Sequence, residues 1–221
     1  ITAAKDRYEK YKFHQMFYEV GSEQTLHFKQ LFKILELMGY NWAKNAVHIN
    51  HGLYLGTDGK KLAAREGKTI FMEDILKETI DLAKKEIEKR ETLNSSEIEK
   101  RALIITRAAI IYGDLKNHRI GDAIFDIKRF LSFEGNTGPY LLYSYARARS
   151  ILRKAGYNPK KKYTIKEISE KEKSLVSLLA GFPEVVSKAY DSLAPSIIAN
   201  YTFELAQKFN EFYHAEKVIG S

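Results

Sequence analysis

The stretch Glu-Gly-Asn-Thr-Gly-Pro-Tyr-Leu-Leu-Tyr-Ser-Tyr-Ala-Arg-Ala-Arg, residues 134–149, reads as a turn followed by the start of a helix. Asn136 or Thr137 can cap this helix, and Pro139 falls in its first turn, where a missing backbone N–H is harmless. A Gly-Tyr-Asn-Pro run at 156–159 is typical of a helix end. The pattern therefore predicts a helix over 137–155.

One face of this predicted helix combines aromatic rings with positive charge. At about 100° per residue, one stripe holds Tyr140, Tyr143, Arg147 and Lys154. The opposite stripe, which we expect to pack, holds Leu141, Tyr145, Ala148 and Leu152. Rings beside guanidinium groups can stack on unpaired bases and neutralise phosphates, so the first stripe suits RNA. An amphipathic core helix with a solvated basic edge is the alternative.

Composition limits the classes of protein that fit this chain. Its 221 residues are 44% hydrophobic and 29% charged, the balance of a globular protein with one sizeable core or two modest ones. The absence of cysteine excludes disulfides and agrees with a reducing cytoplasm. Neither an apolar run of about 18 residues nor a signal-peptide layout is present, so we expect neither a membrane nor an exported protein.

The net charge of +8 is unevenly distributed. Residues 1–99 hold 16 basic and 16 acidic side chains, whereas residues 100–221 hold 20 and 12. Within 147–173, ten basic residues stand against three acidic ones. Such an excess attracts a polyanion through release of its counterions. A solvated loop is the alternative for this segment.

The first part of the chain alternates helices and strands. The pattern predicts a helix near 2–11, a strand over Met16–Val20, a helix over Glu23–Gly39 and a strand around Ala46–Ile49. Both strands are apolar, so we expect a parallel sheet buried on both faces. Ligands of such sheets lie beyond the carboxyl ends of the strands, which marks residues 21–27 and 51–55 as a candidate site.

From about Met72 the pattern is helical. Besides 137–155, the predicted segments are 73–90, 96–112, a short piece at 122–131, 167–180, 182–190 and 194–215. The run Asn94-Ser95-Ser96 gives a capping signal at the start of the second segment, with Glu99 three residues after Ser96. We therefore predict a mixed α/β and all-α fold, with one domain over 1–90 and an α-helical domain over 91–221.

Two groups of residues in the first part could carry chemistry. Gln24 and His27 open a helix directly after a strand, where backbone N–H groups face the end of the sheet. The alternative is a helix cap and an ordinary histidine. Residues 60–67, Lys-Lys-Leu-Ala-Ala-Arg-Glu-Gly, form a basic loop whose cations could offset the charge of a leaving pyrophosphate. A solvated turn is the alternative there.

The exact sequence of one block is more specific than these patterns. Ser132–Tyr140 and the tyrosine- and arginine-bearing helix after it resemble the start of the anticodon-binding bundle of arginyl-tRNA synthetases. The resemblance covers essentially the whole chain but only the later part of the enzyme, without the last helix of the bundle. It implies a partial Rossmann-like parallel-sheet segment followed by an α-helical anticodon-binding bundle, in a class I ligase that joins arginine to tRNA with ATP.

The same resemblance implies roles for single residues. Lys61 matches the first lysine of the family's mobile signature loop and, with Arg65, is expected to stabilise phosphates. Gln24 is expected to contact arginine. The expected neighbours of ATP are His27, Gly52, Leu53 and Lys60. The expected anticodon contacts are Tyr140, Arg147 and Tyr213, with core packing left open for Tyr213.

Two features of this sequence differ from the family's usual motifs. In the signature loop, Ala63 and Ala64 replace two hydroxyl residues and Glu66 replaces a lysine, which removes two phosphate donors and one cation. The sequence also has no His-Ile-Gly-His motif, and the run His48-Ile49-Asn50-His51 does not replace it, since it reads as a strand end. The chain alone is therefore not expected to activate arginine. A non-catalytic tRNA-binding module and a helical scaffold without a nucleic-acid partner stay as alternatives.

The six histidines include no i, i+4 pair and no acidic cluster has calcium or magnesium spacing, so we expect no metal held by the protein. The expected cofactor is ATP, which brings Mg²⁺ with it. The expected partners are tRNA, arginine and ATP, for a monomeric cytoplasmic protein without membrane contact.

Overall fold

The computed structural model describes residues 1–61, 71–162 and 167–218. Two compact units can be separated. The sheet unit comprises the described residues up to Lys61 together with Arg119–Phe125. The helical unit comprises residues 71–118 and the described residues from Asp126 onward. The domain boundary near residue 90 stays a prediction, because compact units and evolutionary domains are different divisions of a chain.

In the sheet unit, a helix joins two parallel strands. Strands β1 (Met16–Gly21) and β2 (Ala46–His51) pair with Met16 opposite Ala46. The other elements are α1 (Thr2–Tyr11), a 3-10 turn over Ser22–Gln24, α2 (Thr25–Leu37) and a 3-10 turn over Asn41–Asn45. These bounds confirm the predicted alternation to within two residues.

Aromatic rings build the core of the sheet unit. The ring of Tyr8 stacks on Trp42 with centroids 5.0 Å apart, beside the fully buried Leu35. The expectation that both strands are buried on both faces is wrong for the described residues, since burial alternates along β1 and Phe17 is 46% exposed. Apolar residues show that a strand can be covered, but they do not show how many layers cover it.

Residues 119–125 return to the sheet unit. Strand β3 (Tyr54–Leu55) pairs in parallel with β4 (Ala123–Ile124). A Cβ at Gly52 would collide with the carbonyl group of Gly121, so this approach requires glycine. The predicted helix over 122–131 is therefore wrong in its first half, and α5 covers only Ile127–Phe130. A pairing partner distant in sequence overrode the local pattern.

The helical unit confirms the remaining predicted helices to within three residues. They are α3 (Met72–Glu88), α4 (Ser95–Leu115), α6 (Gly138–Lys154), α7 (Glu170–Ala180), α8 (Phe182–Asp191) and α9 (Ser196–Ala215). Together with the parallel strands, they confirm the mixed α/β and all-α fold class. None of the helices in the described ranges is long and apolar enough to span a bilayer.

Helix α4 starts within the predicted capping signal, one residue before the predicted start. Asn94 is the cap, because its Oδ1 accepts the N–H of Glu97 at 2.9 Å. The predicted pairing of Ser96 with Glu99 is therefore wrong. The side chain of Glu99 instead accepts a hydrogen bond from Lys84 at 3.2 Å. Two good capping residues stood close together, and the earlier one begins the helix.

Helix α6 approaches α4 closely at Gly138. A Cβ at Gly138 would collide with the carbonyl group of Ala108. The predicted packing stripe is wrong in part, since Tyr145 is 64% and Leu152 39% exposed. The buried residues of α6 are Gly138, Pro139 and Ser144. Close approach of two backbones selects small side chains, whereas a hydrophobicity pattern marks large ones.

Candidate nucleic-acid interface and nucleotide site

Side-chain hydrogen bonds hold the turn before α6. Thr137 is the cap: its Oγ1 accepts the N–H of Tyr140 at 3.3 Å and donates to the carbonyl of Ser132 at 2.6 Å. Asn136, the other predicted cap, places its Oδ1 2.5 Å from the hydroxyl of Tyr112 on α4. Burial raises the pKa of Tyr112 to about 12, so this hydroxyl keeps its proton at neutral pH and donates. The start of α6 is thereby fixed to α4.

A buried asparagine joins α9 to α6. The amide nitrogen of Asn210 donates to the hydroxyls of Tyr140 and Ser144, both at 2.9 Å. Its Oδ1 accepts from the guanidinium of Arg147 at 2.5 Å. The three partners are spaced i, i+4 and i+7 on α6, so they lie on one face of that helix. Because both amide N–H groups have a partner, Asn210 fixes how the two helices meet.

The guanidinium of Arg147 contacts two tyrosine rings. Its central carbon lies 4.6 Å from the ring centre of Tyr143 and 4.7 Å from that of Tyr213, within the range of cation–π attraction. One terminal nitrogen also donates to the Tyr143 hydroxyl at 2.6 Å. We call this set of residues the Arg147 cluster; its members are Tyr140, Tyr143, Arg147, Asn210 and Tyr213.

The Arg147 cluster retains hydrogen-bond donors. A guanidinium has five N–H groups, and the bonds to Asn210 and Tyr143 use two of them. The hydroxyls of Tyr140 and Tyr143 act as acceptors in the bonds among described residues, which leaves their own protons available. Half of Tyr143 and 37% of Tyr213 are exposed. Positive charge, available donors and partly open rings suit phosphate oxygens and unpaired bases.

The structure brings together the three residues predicted to contact an anticodon. Tyr140 and Arg147 meet at Asn210, and Tyr213 lies against Arg147. Their roles toward RNA stay predictions. The scaffold alternative requires the Tyr140/Arg147 face to be buried or covered by acidic residues. Tyr140 and Arg147 are both partly exposed, which does not fit burial of that face. Sequence reasoning missed Asn210, whose only signal was its place on the face of α9 that carries the buried Ala206.

The second candidate site lies at the carboxyl ends of β1 and β2. Ser22 Oγ donates to the carbonyl of His51 at 2.9 Å and accepts from Asn50 Nδ2 at 3.3 Å. Gln24 ends the 3-10 turn and His27 lies in the first turn of α2, and both side chains are exposed. The structure therefore places both predicted residues at the end of the sheet.

Lys61 lies near the same edge of the sheet. Its Nζ is 3.1 Å from Oε1 of Glu23, the residue before Gln24, and its backbone forms a bridge with Leu55. Because Lys61 and Glu23 are both exposed, water screens this ion pair and Lys61 can exchange its partner for an anion. Arg65 lies outside the described residues, as do the three departures from the family's loop at 63, 64 and 66.

Gly52 and Leu53 use their backbone donors within the protein. The N–H of Gly52 donates to the carbonyl of Arg119 and that of Leu53 to Asp122 Oδ1, both at 2.7 Å. The carbonyl of Leu53 also accepts the N–H of Ala123 at 2.9 Å, so both backbone groups of Leu53 are engaged within the protein. Lys60 is exposed, and its backbone N–H donates to Asp58 at 3.0 Å.

The donors at this edge fit a nucleotide better than a chelated metal. In the described ranges, no three His, Asp or Glu side chains gather in a group that could hold a metal ion. The side chains present are the hydroxyl of Ser22, the amide of Asn50 and the ammonium of Lys61. Such groups bind the hydroxyls and phosphates of a nucleotide.

Known proteins resemble the chain along its whole length. A family described as the catalytic domain of class I tRNA synthetases (R) matches residues 1–127, and the DALR anticodon binding domain matches residues 141–221. An arginine–tRNA ligase of Clostridium acetobutylicum is 44% identical, over 99% of this chain and 38% of its own length. One of Ligilactobacillus salivarius is 42% identical over the same shares. The chain thus spans little more than a third of these relatives.

Solved structures share the fold. The arginyl-tRNA synthetase of Thermus thermophilus matches with a TM-score of 0.79 and 27% identity, over 95% of this chain and 34% of its own. The Plasmodium falciparum enzyme has a TM-score of 0.80 at 23% identity, over 96% and 36%. Because the catalytic-domain family covers more than half of the chain and the DALR family most of the rest, the chain belongs to the class I arginyl-tRNA synthetases.

Proposed function

We propose that this chain supplies the anticodon-binding domain and one part of the adenylate-forming site of an enzyme that ligates arginine to tRNA. In the first step of that reaction, the carboxylate of arginine attacks the α-phosphate of ATP, giving arginyl-adenylate and pyrophosphate. In the second, a hydroxyl of the terminal tRNA ribose attacks the activated carbonyl and AMP leaves. The observation that carries the proposal is the Arg147 cluster in a chain of this family.

For the first step, the proposal gives Lys61 and Arg65 the task of offsetting the charge that develops on pyrophosphate. Gln24 orients arginine. The residues placed beside ATP are His27, Gly52, Leu53 and Lys60. The position of Lys61 beside Glu23, next to Gln24, supports this arrangement because it places the ammonium group of Lys61 at the end of the sheet. Mg²⁺ arrives with ATP and not with the protein.

For tRNA, the proposal assigns anticodon contacts to Tyr140, Arg147 and Tyr213. The rings stack on unpaired bases while the guanidinium of Arg147 faces a phosphate. The basic excess of residues 100–221 supports this assignment, because it attracts a polyanion to this part of the chain. We further propose that the enzyme is monomeric, cytoplasmic and free of membrane contact.

The test uses the 221-residue chain and an RNA hairpin carrying the anticodon arm of an arginine tRNA. We expect Arg147→Ala to weaken binding about tenfold and to lower the slope of log affinity against log salt by about 0.7, because one phosphate contact and a stacking partner are lost. Arg147→Lys keeps the charge but loses the paired hydrogen bonds, so affinity falls with the slope unchanged. Fluorescence anisotropy over a salt series measures both.

The matched control is Arg149→Ala, which removes the same charge from an exposed position two residues along α6. We expect it to change affinity less than Arg147→Ala does. A wild-type chain that binds the arginine hairpin no better than a hairpin with an unrelated loop contradicts the proposed function. Equal losses from Arg147→Ala and Arg149→Ala contradict the specific role of Arg147.

A further inference from the structure

A groove of about 760 Å³ lies at the C-terminal end of α3. Its other walls are α5, the turn after α5 and one side chain of α6. The lining residues that matter here are Lys85, Lys89, Arg90, Lys128, Phe133 and Tyr143. We call it the α3 groove. Its volume lies in the range of about 300–1,000 Å³ that is usual for ligand sites.

Positive charge dominates the α3 groove. Four cationic side chains face two carboxylates, those of Glu86 and Glu134. Glu86 is already engaged, since Lys89 lies 2.6 Å and Arg90 3.9 Å from its oxygens, and the hydrogen bond from Lys89 lowers the pKa of Glu86. Lys85 and Lys128 form no ion pair with another residue of the described ranges. An anion entering the groove therefore meets uncompensated charge.

The α3 groove also contains a flat stacking surface. The guanidinium of Arg90 lies over the ring of Phe133, 4.5 Å from its centre. Guanidinium planes and aromatic rings are the surfaces on which proteins stack unpaired bases. A ring and several cations in one groove match a strand that alternates bases and phosphates.

Tyr143 belongs both to the α3 groove and to the Arg147 cluster. Its ring lines the groove, while its hydroxyl and the face of its ring contact Arg147. The two sites therefore share one wall, and both lie in the helical unit. A single strand that crosses Tyr143 passes from one site into the other.

We propose that the α3 groove binds the nucleotide adjacent to the one held by the Arg147 cluster. The base stacks on Phe133 and Arg90, and the flanking phosphates face Lys85, Lys89 and Lys128. This inference rests on the proposed function, since it assumes RNA at the cluster. RNA is favoured over an acidic peptide because the shared ring of Tyr143 and the Arg90–Phe133 pair provide base-stacking surfaces next to the cations.

The first test measures the salt dependence of hairpin binding by the 221-residue chain. We expect the triple variant Lys85→Gln, Lys89→Gln, Lys128→Gln to lower the slope of log affinity against log salt by about 2, as three single-strand phosphate contacts require. The matched control changes the net charge equally in the sheet unit. It is the triple variant Lys10→Gln, Lys29→Gln, Lys44→Gln, all at exposed positions, and we expect its slope to differ less.

The second test separates stacking from charge. Phe133→Leu keeps an apolar side chain but removes the ring, so we expect affinity to fall about tenfold while the salt slope keeps its wild-type value. Thermal unfolding followed by circular dichroism checks that the variant is folded. If it is not, Arg90→Gln removes the other half of the stacking pair from an exposed position and must lower the affinity as well.

The outcomes distinguish this inference from the proposed function. If the groove variants keep the wild-type affinity and salt slope while Arg147→Ala weakens binding, the inference about the α3 groove is wrong. The proposed function is then unaffected. The inference is also wrong if an acidic peptide binds the wild-type chain but not the triple variant, while hairpin binding persists in that variant. Failure of the wild-type chain to prefer the arginine hairpin removes the proposed function and this inference together.

Discussion

Asn210 decides the geometry of the Arg147 cluster. Its amide holds Tyr140, Ser144 and Arg147 at the same time, and it is 8% exposed. The hydroxyls of Tyr140 and Ser144 can rotate and act as donors instead of acceptors, whereas Arg147 only donates. A substitution at residue 210 can therefore disturb either the packing or the charge, depending on the new side chain.

Two substitutions of Asn210 should separate these effects. We expect Asn210→Leu to lower the free energy of unfolding by about 2 kcal/mol, because it leaves buried polar partners unpaired. Asn210→Asp should lower it less, since both hydroxyls can donate to the carboxylate. The new negative charge beside Arg147 should nevertheless weaken hairpin binding at least tenfold. Urea unfolding and fluorescence anisotropy measure the two quantities.

The control for Asn210→Asp is Asn45→Asp, which adds the same charge at an exposed position of the sheet unit. We expect it to leave hairpin binding close to that of the wild-type chain. Hairpin affinity that is the same in Asn210→Asp and Asn45→Asp would show that Arg147 does not act through its charge.

At this scale the sequence indicates the candidate contact residues better than the residue that positions them. Tyr140, Arg147 and Tyr213 stand out because rings and guanidinium groups have few uses on an exposed face. Asn210 does not, because an asparagine in a helix usually faces water, and its burial depends on which residues of α6 lie opposite.

The contact between α4 and α6 positions the helix that carries Tyr140, Tyr143 and Arg147. It depends on Gly138, whose missing side chain lets the two backbones approach. We expect Gly138→Ala to lower the free energy of unfolding by about 1–3 kcal/mol, because the added methyl group meets the carbonyl of Ala108. Chemical unfolding checks this value.

Gly181→Ala is the matched control for this contact. A Cβ at Gly181 comes no nearer than 3.5 Å to Leu178, and the backbone there has an ordinary helical φ of −76°. We expect this change to be neutral or slightly stabilising, since alanine restricts the unfolded chain. Similar losses at Gly138 and Gly181 would contradict the close-contact explanation.

Helices were predictable as elements because each carries its own signals along ten or more residues. Thr137 and Pro139 mark the start of α6, and the left-handed φ of +61° at Gly156 marks its end. Strand β4 was not predictable in the same way. It has two residues, and its partners at Tyr54–Leu55 lie about seventy positions earlier. No local window contains such a pairing.

For the molecule as a whole, we expect no arginine-dependent exchange of pyrophosphate into ATP by the purified chain. The sequence has no His-Ile-Gly-His motif to cradle the α-phosphate, and Ala63 and Ala64 lack the hydroxyl donors of the family's loop. Radiolabelled pyrophosphate exchange measures this. The complete Clostridium acetobutylicum ligase serves as the positive control, and exchange above background by the 221-residue chain would refute the expectation.

The division of the chain into two units has a practical consequence for anyone who wishes to dissect it. The sheet unit is discontinuous in sequence, because Arg119–Phe125 follows α3 and α4 yet completes the edge at Gly52–Leu55. A single cut after α3 would separate β3 from its partner β4. The amino-terminal piece would lack β4, and the carboxy-terminal piece would carry β4 without β3. Two coexpressed segments, or an internal deletion bridging residues 61 and 119, respect the architecture better than any simple truncation.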